Sequence, residues 1–145
     1  MMFTPLSRNL LVPLACALTL GTPALADPPF TTAAEVKPIL AATRANWISV
    51  RDFNGQDLVY VTHLWSWRCG LARIRLSIND GGPEIWPLPP CHLDQAAPNA
   101  IHEEDGLPYR AFAPDSVETI TIELTYDDMT VETQTVNRQG QPATP

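Results

Sequence analysis

The sequence predicts a mainly β, α+β domain: an antiparallel sheet or small sandwich of about 5–7 strands carrying one short N-terminal helix. Three observations predict it. Runs of alternating or continuous apolar residues, rich in β-branched and aromatic types, dominate after residue 47. The hairpin dipeptide Asn54-Gly55 separates two of them. One stretch alone, close to the amino terminus of that region, carries helical periodicity.

Residues 1–26 precede this domain and read as a cleavable export signal. Met1 to Asn9 holds a single charge, Arg8, and no acid; Leu10 to Leu20 is almost wholly apolar; Gly21, Thr22 and Pro23 break the run before Ala24-Leu25-Ala26. A positive, apolar and small-residue series in that order is what a signal peptidase reads. The apolar run is too short to span a bilayer, which needs about 20 residues, so no stable membrane insertion is expected. Lipid attachment at Cys16 is disfavoured because Pro13 occupies the place, three before the cysteine, where a leucine-like residue belongs. The expected mature chain therefore begins at Asp27 and is periplasmic or secreted, with residues 27–136 as one domain and 137–145 as a loose polar tail.

The first element is a helix. Thr32-Ala33-Ala34-Glu35 has capping-box spacing, and Val36, Ile39, Leu40, Thr43 and Trp47 then recur at helical intervals. Pro38 conflicts with a regular helix, which is either kinked there or begins with Pro38 in its first turn. Trp47 to Phe53 and Leu58 to Cys69 form the next two predicted strands. A two-residue turn at Asn54-Gly55 would pair Val50 with Val59 but set Asp52 against Asp57, and like charges across a ladder repel. A four-residue loop through Asp57 avoids the clash, which leaves the register open. In the second strand, Val59, Val61, His63, Trp65, Trp67 and Cys69 share one face, the other also being partly apolar, so a central position with a bend or bulge before Cys69 is expected.

Leu71 to Ile78 is a one-sided strand with Ile74, Leu76 and Ile78 inward; Glu84 to Leu88 can pair back across Asn79-Asp80-Gly81-Gly82. Seven prolines between Pro83 and Pro114 make that region mostly extended loop. Val117 to Tyr126 is the clearest strand, and Asp127-Asp128 turns it into Thr130 to Val136. Cleavage would discard Cys16 and leave Cys69 and Cys91, an even pair that forms a disulfide in an oxidising compartment. Their closeness in sequence, with Trp65 and Trp67 before both, does not fit the immunoglobulin framework.

The whole chain has a formal charge of −7, and without Arg8 the mature chain reaches −8. From Asp80 onward only Arg110 and Arg138 oppose twelve acidic residues. That imbalance disfavours nucleic acid and anionic membranes and favours a basic protein partner, a cationic ligand or a divalent metal. Candidate binding residues are Trp86, set among prolines, the acidic run Glu103, Glu104 and Asp105, and the pair Asp127 and Asp128. His63, His92 and His102 are the candidate metal ligands, although no paired His spacing accompanies them. No nucleophile elbow, phosphate loop, dinucleotide fingerprint or zinc-protease helix occurs, so no catalytic residue and no cofactor is assigned. The expected function is an exported, non-catalytic binding or accessory domain acting on an extracytoplasmic protein, an inhibitor of a basic enzyme being one version. Periplasmic metal handling is the alternative.

Overall fold

The structure, a computed structural model, describes residues 26–144; the proposed signal sequence up to residue 25, with Cys16, lies outside the described residues. The fold is mainly β. Among the described residues, helix α1 (Ala33–Ala42) precedes strands β1 (Ser49–Phe53) and β2 (Gln56–Tyr60), a four-residue helix α2 (Thr62–Trp65), and strands β3 (Leu71–Ile78), β4 (Glu84–Trp86), β5 (Tyr109–Phe112), β6 (Thr119–Tyr126) and β7 (Val131–Asn137). The strands build two antiparallel sheets, β1-β2-β5 and β4-β3-β6-β7.

Glu35 starts α1 as its spacing predicts. Its carboxylate accepts the backbone N–H groups of Phe30, Thr31 and Thr32 and the Thr32 hydroxyl, and these bonds, the one from Phe30 foremost, hold it below the usual carboxylate range. A further orphan amide at the helix start, Ala33 N–H, is taken by the distant Asp127 carboxylate at 2.8 Å. Pro38 lies inside the helix with its ring exposed, so α1 does not begin there. Ala33, Val36 and Leu40 are buried on the inner face, and Trp47 closes the far end by donating its indole N–H to the Leu40 carbonyl.

The β1–β2 hairpin uses the two-residue turn, with Asn54 and Gly55 both at positive φ as a type I′ turn requires. Val50 pairs with Val59 and, against the electrostatic objection, Asp52 pairs with Asp57. The four-residue alternative is therefore wrong, because a third group neutralises the pair: Arg138 bonds both carboxylates.

The expected twelve-residue strand from Leu58 to Cys69 ends at Tyr60. The reason is visible in burial. Val61, Leu64, Trp65 and Arg68 are the buried residues there, a spacing of 0, 3, 4 and 7 that belongs to a helix rather than a strand. The chain accordingly turns through α2 and a 3₁₀ turn, Arg68–Gly70, before β3. Gly70 lies so close to α1 that a Cβ there would collide with Val36 Cγ2 and meet the Thr32 carbonyl oxygen at 2.8 Å.

Strands β3 and β6 follow expectation and form the central pair of the larger sheet, with Ile74 opposite Leu124 and Leu76 opposite Ile122. Tyr109–Phe112, expected as loop, is instead β5 at the edge of the smaller sheet, where Pro108 directly before it needs no N–H. Residues 137–142, expected to be loose, are fastened: Asn137 N–H donates to the Gln141 carbonyl, Val136 bridges to Pro142, and Arg138 reaches the hairpin. One continuous core unites α1, both sheets, Trp47 and Trp65. No helix among the described residues is long and apolar enough to cross a membrane.

Candidate functional site

The proline-rich chain between Trp86 and Tyr109 has little regular structure of its own, the 3₁₀ turn Glu103–Asp105 apart. One buried side chain supplies much of its anchoring. Arg68, 1 % exposed, spends all five guanidinium N–H groups on its surroundings. Nε donates to the Pro90 carbonyl at 2.8 Å, and Nη1 donates to the carbonyls of Trp65 and Asn99 at 3.1 and 2.7 Å. Nη2 donates to the Ala100 carbonyl at 2.9 Å and to Asp105 Oδ2 at 3.2 Å. Three of these carbonyls, those of Pro90, Asn99 and Ala100, lie in the loop, so the arginine replaces the ladder partners that prolines and turns deny it.

Neighbouring groups tighten the same frame. The Cys69–Cys91 disulfide joins the residue after Arg68 to the residue after Pro90, with Cα atoms 4.9 Å apart. Asn99 accepts the Cys69 N–H at its side-chain oxygen and donates its amide to the Phe30 carbonyl, while Trp65 donates its indole N–H to the Pro87 carbonyl. Burial alone would raise the Asp105 carboxyl, but the His102 N–H, the His92 ring and the Arg68 guanidinium outweigh it and hold the group ionised below the usual range. Burial likewise pulls Arg68 down while Asp105 opposes it; an arginine begins so far above neutrality that it stays charged.

What this frame displays is apolar and acidic. Leu93 is 63 % and Leu107 66 % exposed, and Asp94, Glu103 and Glu104 are exposed beside them in sequence. No lysine or arginine occurs from residue 76 to residue 109. The segment therefore exposes leucine side chains with carboxylates near them in sequence and no basic residue among them, a combination suited to a cationic, partly apolar partner.

The predicted site residues divide sharply. Glu103 and Glu104 stand on the loop surface, whereas Asp105 is buried and committed to Arg68 and His92. Trp86 is 3 % exposed: it faces the core from β4 with Arg110 stacked 4.5 Å above its ring, because its place opposite Ile74 turns it inward. Asp127 and Asp128 sit apart from the loop in sequence and act on the scaffold, Asp127 capping α1 and Asp128 pairing with Lys37 and accepting the Thr130 N–H. Those bonds, the one from Lys37 foremost, bring Asp128 down to about 2.

Of the three histidines, two come together. The His92 and His102 rings meet edge to face with centroids 4.7 Å apart, and His92 Nε2 lies 3.0 Å from Asp105 Oδ1. His63 is elsewhere, hydrogen-bonded to Thr43 and against Trp67. The acidic and imidazole groups that do converge for a cation among the described residues are Asp52, Asp57 and Asp115, and the Arg138 guanidinium already pairs with all three.

Sequence reading passed over Arg68, Leu93, Leu107 and Arg138. Arg68 carried a signal, since it completes the helical spacing begun at Val61; the others depend on contacts between distant segments. No known protein family, curated protein or solved structure matches this chain.

Proposed function

We propose that this protein is an exported, non-catalytic binding domain that engages a basic extracytoplasmic protein through the loop built on Arg68. The supporting observation is the use of a fully buried, fully bonded arginine to fix a long irregular segment that displays Leu93, Leu107 and three carboxylates. Long structureless loops in compact domains are uncommon and are usually functional. Fixing one in advance lowers the ordering cost of association. Inhibition of a basic enzyme is one form such binding takes. Export is supported by the order of residues 1–26 and by a disulfide that persists in oxidising compartments.

The test is a pull-down from extracytoplasmic extract with the wild-type protein and a Leu93→Asp/Leu107→Asp variant. A partner of high isoelectric point retained by the first and lost by the second, at unchanged melting temperature, is the expected outcome. Equal capture by both proteins removes the loop from the interface. Intact mass of the exported protein starting at Asp27 checks the processing.

A second reading, metal handling, is favoured by one observation: the His92–His102 contact leaves the His102 Nε2 atom buried without a hydrogen-bond partner. It predicts a higher melting temperature with added zinc or copper that is absent in His102→Gln.

A further inference from the structure

An open cleft lies away from that loop, where the end of β2 passes into α2 beside β1. Asn46, Ser49, Arg51, Tyr60, Thr62 and His63 line it, enclosing about 380 Å³. Every lining group is polar and none is acidic, on a protein with nearly twice as many acidic as basic side chains. The sheet register explains the grouping: Ser49 stands opposite Tyr60, and Arg51 is two residues further along the same face of β1.

Arg51 is the cleft's permanent charge. Lys37, Arg44, Arg68, Arg75, Arg110 and Arg138 each hold a carboxylate, but Arg51 has none within 4.0 Å among the described residues. Its guanidinium instead lies over the Tyr60 ring, 5.5 Å from the centroid. An aromatic face orients the planar fork while leaving its N–H donors unused.

His63 is also prepared. The Thr43 hydroxyl donates its one hydrogen to the Ile39 carbonyl at 2.7 Å, so at 2.8 Å from His63 Nε2 it must accept. The neutral ring therefore carries its hydrogen on Nε2 and leaves Nδ1 as an acceptor. Burial lowers the affinity of this ring for a second proton, which keeps the neutral form in place at neutral pH.

We propose that this cleft binds a small hydroxylated solute bearing an oxyanion, carboxylate or phosphate, with Arg51 taking the anion and Ser49, Thr62 and His63 Nδ1 taking the hydroxyl groups. The geometry matches the chemistry: a forked donor meets two oxygens of a carboxylate or phosphate, and short hydroxyl and imidazole groups exchange hydrogen bonds with a polyol. This site is separate from the loop surface, and its fate is independent of the partner read there.

The experiment is a titration of the purified, isotope-labelled protein followed by amide NMR, with glucuronate, inorganic phosphate and glucose as probes. Glucuronate is expected to shift the Ser49, Thr62 and His63 signals saturably, with a dissociation constant of about 1 mM. Phosphate is expected to shift the same signals more weakly, and glucose, which lacks the anion, hardly at all. Arg51→Gln should weaken glucuronate binding about tenfold or more, while Arg73→Gln, which removes another arginine without a carboxylate partner, should leave it unchanged. Shifts from phosphate alone assign the oxyanion to phosphate esters rather than carboxylates and support the site. Shifts that persist in Arg51→Gln, that fall equally with Arg73→Gln, or that avoid these residues would overturn it, as would no shift with either anion.

Discussion

Arg138 grips Asp57 from the opposite end of the chain: its two terminal nitrogens lie 2.5 and 2.7 Å from the two carboxylate oxygens. Asp57 is completely buried and accepts the backbone N–H groups of Asp115 and Val117 as well. Arg138 also pairs with Asp52. One guanidinium thus decides the hairpin register, because without it two carboxylates would oppose each other across the ladder. Arg138→Gln should lower the melting temperature markedly. Adding Asp52→Asn, which removes the repulsion, should restore part of the loss, and thermal melts of the two single variants and the double variant measure that coupling.

Acid should unfold the protein through the same groups. Arg138 outweighs burial and, with the Val117 and Asp115 amides, holds Asp57 far below the carboxylate range. Asp105 is lowered too, and Asp128 to about 2. Each has a folded value below its unfolded one, so the unfolded chain binds more protons in the acid range and stability rises with pH there. The contribution is complete above the unfolded carboxylate value of about 4 and disappears as pH falls through the folded values. Denaturant titrations from pH 6 down to about 2 should show this slope, and Asp57→Asn should flatten it.

Removing the guanidinium from the loop frame should be costly. Arg68→Met leaves the Pro90, Asn99 and Ala100 carbonyls without their donor and strands the Asp105 charge. A loss of about 3 kcal/mol or more is expected. Limited proteolysis should then cut between residues 90 and 105, and capture of the basic protein proposed above should fail.

The disulfide acts on the unfolded chain. A bridge between positions 22 apart contributes about 3 kcal/mol in the chain-entropy description. A Cys69→Ser/Cys91→Ser protein should show that loss by chemical denaturation while retaining the far-ultraviolet signal of its sheets.

Gly70→Ala tests the approach of α1 to the turn before β3. The new methyl would meet Val36 Cγ2 and, less forgivingly, the Thr32 carbonyl, at a cost of about 1–3 kcal/mol. Melting temperature measures it, and Glu35, at the same helix start, should lose its bonds to the 30–32 backbone.

Local chemistry was legible in the sequence. Thr32 and Glu35 announced the start of α1, Asn54-Gly55 the hairpin, alternation at Ile120, Ile122 and Leu124 the strand β6, and the cysteine count the disulfide. Two periods compete around Trp65: aromatic and β-branched composition suggests a strand, while burial at Val61, Leu64, Trp65 and Arg68 follows a helix. Composition gave the wrong answer there. The Asp52–Asp57 register was illegible because its solution, Arg138, is 81 residues beyond Asp57. Arg110 and Trp86 met the same difficulty, since stacking across two sheets leaves no local pattern.

The chain beyond Pro90 is anchored twice where it begins, by a hydrogen bond from Arg68 to Pro90 and by a covalent bond from Cys69 to Cys91, and again where it ends, by Arg68 at the Asn99 and Ala100 carbonyls. With both ends held from outside, residues 92–98 add only short turn bonds of their own, from the His92 N–H to the Pro98 carbonyl and from the Gln95 N–H to the His92 carbonyl. Leu93, Asp94 and Ala96 lie in that interval with exposed side chains. Substitutions at these three positions are therefore expected to change the exposed surface without unsettling the fold, a variable face on a fixed mount.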